Sequence, residues 1–298
     1  MSNLFRPKEY IRPMSIEEAV SLLAKYGERA SLIAGGTDVL VRKLPDIEYL
    51  VDISRLPLDY IKLNEDGLKI GALCTFRSLE TSEILKNEGY QLITEAAHEM
   101  GTVPIRNVAT VGGNICNALP STELCPVLSA LDAKVKLVNP SEERVVPLEE
   151  FFVGPRKTVL KSDELLTEII VPRLPYRTGT AFIKLGRTSE DISLVNAAVR
   201  VTLEADYVCR EARIVIGGGV GPTLIRSKRS EALLEGKIIV ETLIQKAAQA
   251  ASEELDPRPT SIRGSPFYKI EITKVIVKRA LALALARVKG VAYGEEDH

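Results

Sequence analysis

Two glycine turns hold the residues of this chain best suited to chemistry. The first is Leu32-Ile33-Ala34-Gly35-Gly36-Thr37-Asp38-Val39, and the second is Thr110-Val111-Gly112-Gly113-Asn114-Ile115. Each reads as a strand end, a Gly-Gly bend and a short polar residue. Glycine reaches positive φ and carries no Cβ, so successive backbone N–H groups can converge on an anion. Two such turns can grip a pyrophosphate from both sides, which suggests a nucleotide cofactor. A single Gly-Gly pair is as readily a tight connection. The neighbours tilt the reading: Thr37, Asp38, Thr110 and Asn114 are short donors and acceptors suited to phosphate and ribose oxygens. The second turn also opens a run, Asn114 to Glu123, richer in small polar residues than a core turn needs.

Other chemistry is sparse. The four cysteines, Cys74, Cys116, Cys125 and Cys209, form no CxxC pair and no zinc or iron–sulfur spacing. The only histidines are His98 and His298, too few for a histidine-rich metal site. A Ser-His-Asp hydrolase would have to use His98, which sits in a helical stretch without a nucleophile elbow. Cys116 lies inside the suspect loop, but a buried small thiol is the commoner reading. The run Gly217-Gly218-Gly219-Val220-Gly221-Pro222 imitates a dinucleotide fingerprint. Pro222 removes an N–H where a phosphate-binding helix needs donors, and no acidic ribose ligand follows at the required spacing.

The elements that must position the turns can be read from caps and alternation. Ser15-Ile16-Glu17-Glu18 is a capping box opening a helix with an Ala19, Leu22, Leu23 stripe that ends at Gly27. A strand over 31–34 runs into the first turn, a short helix over 40–43 leaves it, and a strand over 49–54 follows. Paired strands at 61–63 and 68–72 turn at Asn64-Glu65-Asp66-Gly67. Helices are predicted at 78–86, 90–99 and 125–131, a hairpin at 133–138 and 143–147, and a strand at 165–171. From about Thr178, segments 181–185 and 197–204 alternate as strands of a half-covered sheet, and 209–216 is another strand. Helices at 240–255 and 267–288 close the chain.

Bulk properties narrow the class. At 298 residues there is room for two domains with separate cores. The net charge of −1 lacks the basic excess that nucleic acid would require. No apolar run approaches the ~20 residues of a membrane span, and the N-terminus has no hydrophobic signal core, so a cytoplasmic protein is expected.

These motifs together resemble the FAD-binding medium subunit of the molybdenum hydroxylases, the xanthine dehydrogenase and carbon monoxide dehydrogenase family. The resemblance runs nearly end to end: Phe5-Arg6-Pro7 with Tyr10 to Ala19, Ala34 to Asp38, Ile105 to Ile115, Lys184-Leu185-Gly186-Arg187 through Ile192, and Ser261-Ile262-Arg263-Gly264-Ser265. It implies an α+β fold. A two-lobed FAD-binding domain of the vanillyl-alcohol-oxidase (PCMH) type spans 1–176, with lobes at about 1–55 and 56–176. A small α+β domain of the carbon monoxide dehydrogenase flavoprotein type, with a three-stranded sheet, spans 177–290, and 291–298 is a tail. By the same resemblance, segments 32–39 and 110–114 wrap the pyrophosphate with backbone amides. Glu123, where Asp is commoner, reaches the adenosine half, and Leu166 and Lys184 lie beside the flavin ring. Lys184 is also readable as a snorkelling lysine on a strand edge.

The implied role is an oxidoreductase subunit without a general acid or base of its own. FAD is expected in this chain, molybdopterin and 2Fe–2S clusters on a large and a small partner, in an (αβγ)₂ assembly that delivers electrons to an acceptor. The cysteine-bearing insertion of the hydroxybenzoyl-CoA reductase branch is missing. A free-standing FAD oxidase would need its own substrate pocket and often a covalent tether, for which only His98 or Cys116 is on offer; a flavin-free scaffold is a third reading. Valine at Gly35 or Gly113 is expected to abolish cofactor retention in a chain that still folds.

Overall fold

The computed structural model describes residues 6–42, 44–87 and 89–291. Its first lobe is a parallel sheet. Strand β1 (Glu9–Ile11) leads into helix α1 (Ile16–Tyr26), then β2 (Ala30–Ile33), helix α2 (Val39–Arg42) and β3 (Tyr49–Asp52), in the order β1-β3-β2. Half of the capping box forms: the Ser15 side chain accepts from the Glu18 N–H, while the Glu18 carboxylate reaches past Ser15 to the Met14 N–H at 2.7 Å, and Ala19, Val20 and Leu23 are buried. The strand β1 was not foreseen, because three residues are too few to show alternation. The predicted helix over 40–43 is α2, with Lys43 outside the described residues.

The second lobe is an antiparallel sheet of order β4-β5-β10-β6-β7. Strands β4 (Ile61–Asn64) and β5 (Gly67–Gly71) form the foreseen hairpin, with the Asn64 side chain accepting from the Asp66 and Gly67 N–H groups. Six helices follow: α3 (Phe76–Thr81), α4 (Glu83–Asn87), α5 (Gln91–His98), α6 (Val103–Arg106), α7 (Val111–Asn117) and α8 (Leu124–Ala130). The single helix expected over 78–86 is two, broken at Ser82, whose extended backbone caps α3. Strands β6 (Lys134–Val138) and β7 (Glu143–Pro147), the short helix α9 (Leu148–Phe151), the small ribbon β8 (Phe152–Gly154) and β9 (Lys157–Thr158), and β10 (Leu165–Pro172) complete the lobe. The central strand β10 bulges between Leu166 and Glu168, and the Thr167 carbonyl so displaced accepts from the Ala72 N–H at 3.0 Å.

The C-terminal part is a sheet of order β11-β12-β13-β14, from β11 (Thr178–Leu185), β12 (Val195–Leu203), β13 (Cys209–Gly217) and the two-residue β14 (Ile225–Arg226). The sheet thus has a short fourth strand beyond the expected three. Helices α10 (Lys228–Leu234), α11 (Glu241–Glu253) and α12 (Pro266–Lys289) follow. The half-covered sheet expected from alternation is in fact covered on both faces, and all nine residues of β12 are buried. One face packs on α10 and α12, with α11 against those two helices, and the other face meets α8. All residues of α8 but Ser129 are buried, and Phe182, Ala198 and Val215 of the C-terminal sheet join the core of the second lobe. A charged clamp reinforces this seam: Asp132, at φ +53°, receives Arg200 at 2.5 Å and Arg213 at 3.0 Å. Among the described residues no helix is long and apolar enough to cross a membrane.

Candidate functional site

A cavity of about 580 Å³ opens between the two lobes, within the range of about 300–1,000 Å³ common for small-molecule sites. Its walls bring together most of the sequence-predicted residues: Leu32, Ala34, Gly35, Gly36, Thr37, Asp38 and Val39 from the first lobe, and Thr110, Gly112, Gly113, Asn114, Glu123 and Leu166 from the second. Ile33 and Lys184 do not line it.

The first turn starts where β2 runs out of partners. Gly36 lies at φ +72°, a left-handed position that a side chain would strain, and its carbonyl accepts from Leu40 to start α2. Among the described residues, the N–H groups of Gly35, Gly36, Thr37 and Asp38 have no acceptor within the protein. Four consecutive free amides bent around a left-handed glycine form an anion-binding concavity. Gly35 has a different duty. A Cβ there would stand 1.8 Å from the Val108 carbonyl oxygen, so the first turn is pressed against the chain leading into the second.

The second turn is not the expected strand end and bend. Thr110 is the N-cap of α7, and Gly112 and Gly113 form its first turn. Its amides are already bonded: Val111 to the Cys74 carbonyl at 2.9 Å, Gly112 to the Ala72 carbonyl at 2.8 Å, and Gly113 to Thr110 Oγ1 at 3.2 Å. Gly112 is needed for close approach, since a Cβ would lie 2.8 Å from that of Ala72. Gly113 is exposed to the cavity, where a Cβ would meet only Thr110 Oγ1, at 2.9 Å. Asn114 Oδ1 accepts from Thr122 Oγ1 at 2.6 Å. This segment therefore presents bare Cα atoms and side chains rather than free amides.

Glu123 is buried in the far wall. Ser193 Oγ donates to its carboxylate at 2.9 Å, and Lys184 Nζ stands 3.4 Å away. Burial pushes the carboxyl above its ordinary range, and Lys184 and Ser193 pull it back. Lys184 also donates to the carbonyls of Glu99 at 2.5 Å and Ser189 at 3.3 Å.

Several wall residues were missed, among them Arg42, Met100, Lys161, Ser162 and Ile192. Arg42 had a findable signal: it stands one helical turn beyond Asp38, and its N–H bonds the Asp38 carbonyl at 2.9 Å. Lys161 and Ser162 lie just ahead of β10, beside Glu164, which Arg144 holds at 2.7 Å. No local pattern marks Met100 or Ile192, which reach the cavity through the fold. Of the two possible tethers, His98 lies off the cavity wall, with Nδ1 2.7 Å from Glu80. Cys116 does line the cavity, but burial pushes its thiol up to about 12, which keeps it protonated and a poor nucleophile.

The donor set fits a dinucleotide such as FAD. Free amides at 35–38 and the cations Arg42 and Lys161 suit phosphates, a bare Gly113 gives room for close approach, and Leu73, Leu165 and Leu166 supply apolar wall.

Comparison with known proteins gives a consistent result over almost the whole chain. Residues 5–174 match the model described as the FAD binding domain in molybdopterin dehydrogenase, and residues 180–284 match the CO dehydrogenase flavoprotein C-terminal domain. The chain is 36% identical over 285 residues to the 6-hydroxypseudooxynicotine dehydrogenase complex subunit alpha of Paenarthrobacter nicotinovorans, covering 94% of this chain and 95% of that one. It is 34% identical to the carbon monoxide dehydrogenase medium chain of Hydrogenophaga pseudoflava, covering 94% and 97%. A solved carbon monoxide dehydrogenase from the same organism superposes with a TM-score of 0.89 at 35% identity, over 95% of this chain and 98% of the other.

Proposed function

The chain belongs to the FAD-binding medium subunits of the molybdenum hydroxylase family, as an oxidoreductase subunit, and from that premise we propose that it relays electrons between a partner's 2Fe–2S clusters and an external acceptor. The FAD binds without a covalent link in the cavity between the lobes. The observation that carries this reading is the set of four acceptor-free amides at Gly35, Gly36, Thr37 and Asp38, facing a bare helix start at Gly113. Bound there, the flavin would supply the electron-transfer chemistry.

The residues divide the work of holding it. The amides of 35–38 bind pyrophosphate oxygens, assisted by Arg42. Leu32, Ala34 and Val39 back that turn, with Ile33 behind it. Thr110, Gly112, Gly113 and Asn114 shape the opposite wall. Glu123 takes the adenosine half and Leu166 packs near the ring, while Lys184 supports the wall through Glu123. We read residues 1–176 as the FAD domain and 177–290 as the covering domain. A large molybdopterin subunit and a small 2Fe–2S subunit complete a cytoplasmic (αβγ)₂ assembly. Names of relatives such as "medium chain" and "complex subunit alpha" support the multi-subunit reading over the free oxidase.

Purified chain loaded with flavin tests the proposal. Acid precipitation should release all flavin to the supernatant, eluting as FAD, and an aldehyde or purine should not bleach it without the partners. Flavin left in the pellet, elution as FMN, or bleaching of the isolated chain would overturn it.

A further inference from the structure

The glycine run that closes β13 does not line the cavity, yet its geometry is that of a binding loop. Gly218 and Gly219 lie at φ +95° and +69°, and their N–H groups converge on one oxygen, at 3.0 and 3.2 Å. That oxygen is the Pro120 carbonyl. The loop that imitates a phosphate fingerprint thus grips the protein's own backbone. It has no room for side chains while it does so. A Cβ on Gly217 would stand 2.6 Å from Asn196 Oδ1, and one on Gly218 would stand 2.5 Å from the Leu194 carbonyl oxygen.

Pro120 belongs to the loop that joins α7 to α8, and its neighbours Leu119, Ser121 and Thr122 line the cavity. Behind the run stands Lys269 of α12, 3% exposed, with Nζ donating to the Gly218 carbonyl at 2.9 Å and to the Gly219 carbonyl at 3.1 Å. Among the described residues no carboxylate pairs with it. Burial, then the nearby Arg258 and Arg263, push the ammonium below its ordinary value. A buried cation without a counter-charge is a poor source of stability. What it fixes is direction. The Gly218 carbonyl and the Gly219 N–H belong to one planar trans peptide and point opposite ways. Holding that carbonyl toward Lys269 therefore aims the N–H at Pro120.

We propose, on the FAD reading above, that the run 217–219 is a clasp on the cavity wall and that Lys269 is the positioning residue that locks it, neither of them touching the cofactor. Without the ammonium, two buried carbonyls lose their donors. The glycine peptides are then free to rotate, and the Pro120 carbonyl loses both of its amides. Leu119, Ser121 and Thr122 lose with it the backing that holds them at the cavity.

Flavin-fluorescence titration and hydrogen exchange read by mass spectrometry, on full-length wild type, Lys269→Met and Lys269→Arg, test this. Lys269→Met should weaken FAD binding about tenfold. Lys269→Arg, which can donate to both carbonyls, should recover part of the loss. In FAD-free Lys269→Met chain, peptides covering 118–123 and 217–221 should exchange faster, while β12 of the same sheet keeps its wild-type rate. In wild-type chain, FAD should slow exchange at 217–221, although that run does not line the cavity. Unchanged affinity in Lys269→Met, or exchange that rises alike through β12, would overturn the proposal and leave the lysine a role in the fold alone. An arginine variant as weak as the methionine one would overturn it too. If Lys269→Met does not fold, the wild-type comparison decides, and an absence of slowing at 217–221 overturns the clasp. Wild-type chain that takes up no FAD would instead sink the functional reading, and exchange at 118–123 in the FAD-free variant would still decide the clasp.

Discussion

Segments 34–38 and 110–114 share a glycine pair and stand in opposite relations to the protein around them. In the first, the amides of residues 35–38 are free and the glycine conformation is left-handed at Gly36. In the second, the amides are spent on Cys74, Ala72 and Thr110, and the glycines are helical. The same dipeptide leaves amides free in one lobe and permits close packing in the other. Sequence alone presented them as twins, because glycine's two uses, positive φ and absent Cβ, are indistinguishable in a letter code.

The sharpest way to break the comparison is at Gly35, which belongs to the open turn but is packed like the closed one. Gly35→Val would drive a side chain into the Val108 carbonyl. The expected outcome is loss of folded, soluble chain, not the well-folded, flavin-free protein anticipated from sequence; circular dichroism and gel filtration decide. A folded Gly35→Val that merely lost flavin would restore the symmetric reading.

Acid compares the lobes next. Burial alone would raise Asp52 of the first lobe, but bonds from Tyr10, Ser54 and Arg12 outweigh it and hold the carboxyl at about 2, below its ordinary 3.8. In the second lobe burial acts on Glu80 likewise, yet Arg77, His98 and Arg106 draw it from 4.5 to about 2. Both carboxyls bind protons more readily when unfolded. The stability they contribute, about 2 kcal/mol for Asp52 and about 3–3.5 kcal/mol for Glu80, is therefore complete above their unfolded values and drains away as pH falls toward 2. Thermal midpoints across pH 2–6 should fall on the acid side, and Asp52→Asn and Glu80→Gln should each flatten that fall. A slope unchanged in either variant would remove that lobe from the account.

A paired substitution gives the smallest and cleanest contrast. Gly36→Ala should cost about 1–2 kcal/mol of strain and weaken FAD binding, because the strain lies in the free-amide turn. Thr110→Val removes an N-cap, should cost about 1 kcal/mol, and should leave FAD affinity nearly intact. Differential scanning fluorimetry and flavin titration read both. Equal affinity losses would mean that both turns bind.

Much of the frame was legible. The helix cap at Ser15, the Asn64 turn and the hairpin around Asn139 each have a local cause, and the structure keeps all three. The helix α7 was hidden, since glycine is a poor helix former and its capping Thr110 resembled a phosphate ligand. The four residues of α6 and three of β1 are too short for any period to show. At the site, the glycine turns stood out and Leu166 came only from the resemblance, while Met100 and Ile192 became neighbours through the fold. Lys184 was placed beside the flavin by resemblance, and its three protein acceptors are visible only in three dimensions.

The burial of α8 carries a consequence for how the protein is made. Chain synthesis delivers both glycine turns and the whole of β10 before any residue of the C-terminal sheet. At that moment α8 has one face packed and the other awaiting Phe182, Ala198 and Val215. Glu123, at the head of that helix, still lacks Lys184 and Ser193. The nascent first half is thus a cleft with an unfinished back, sticky on one side and charged at its edge. Translation of the last hundred or so residues is what turns a fragment in need of shelter into a vessel ready to be filled.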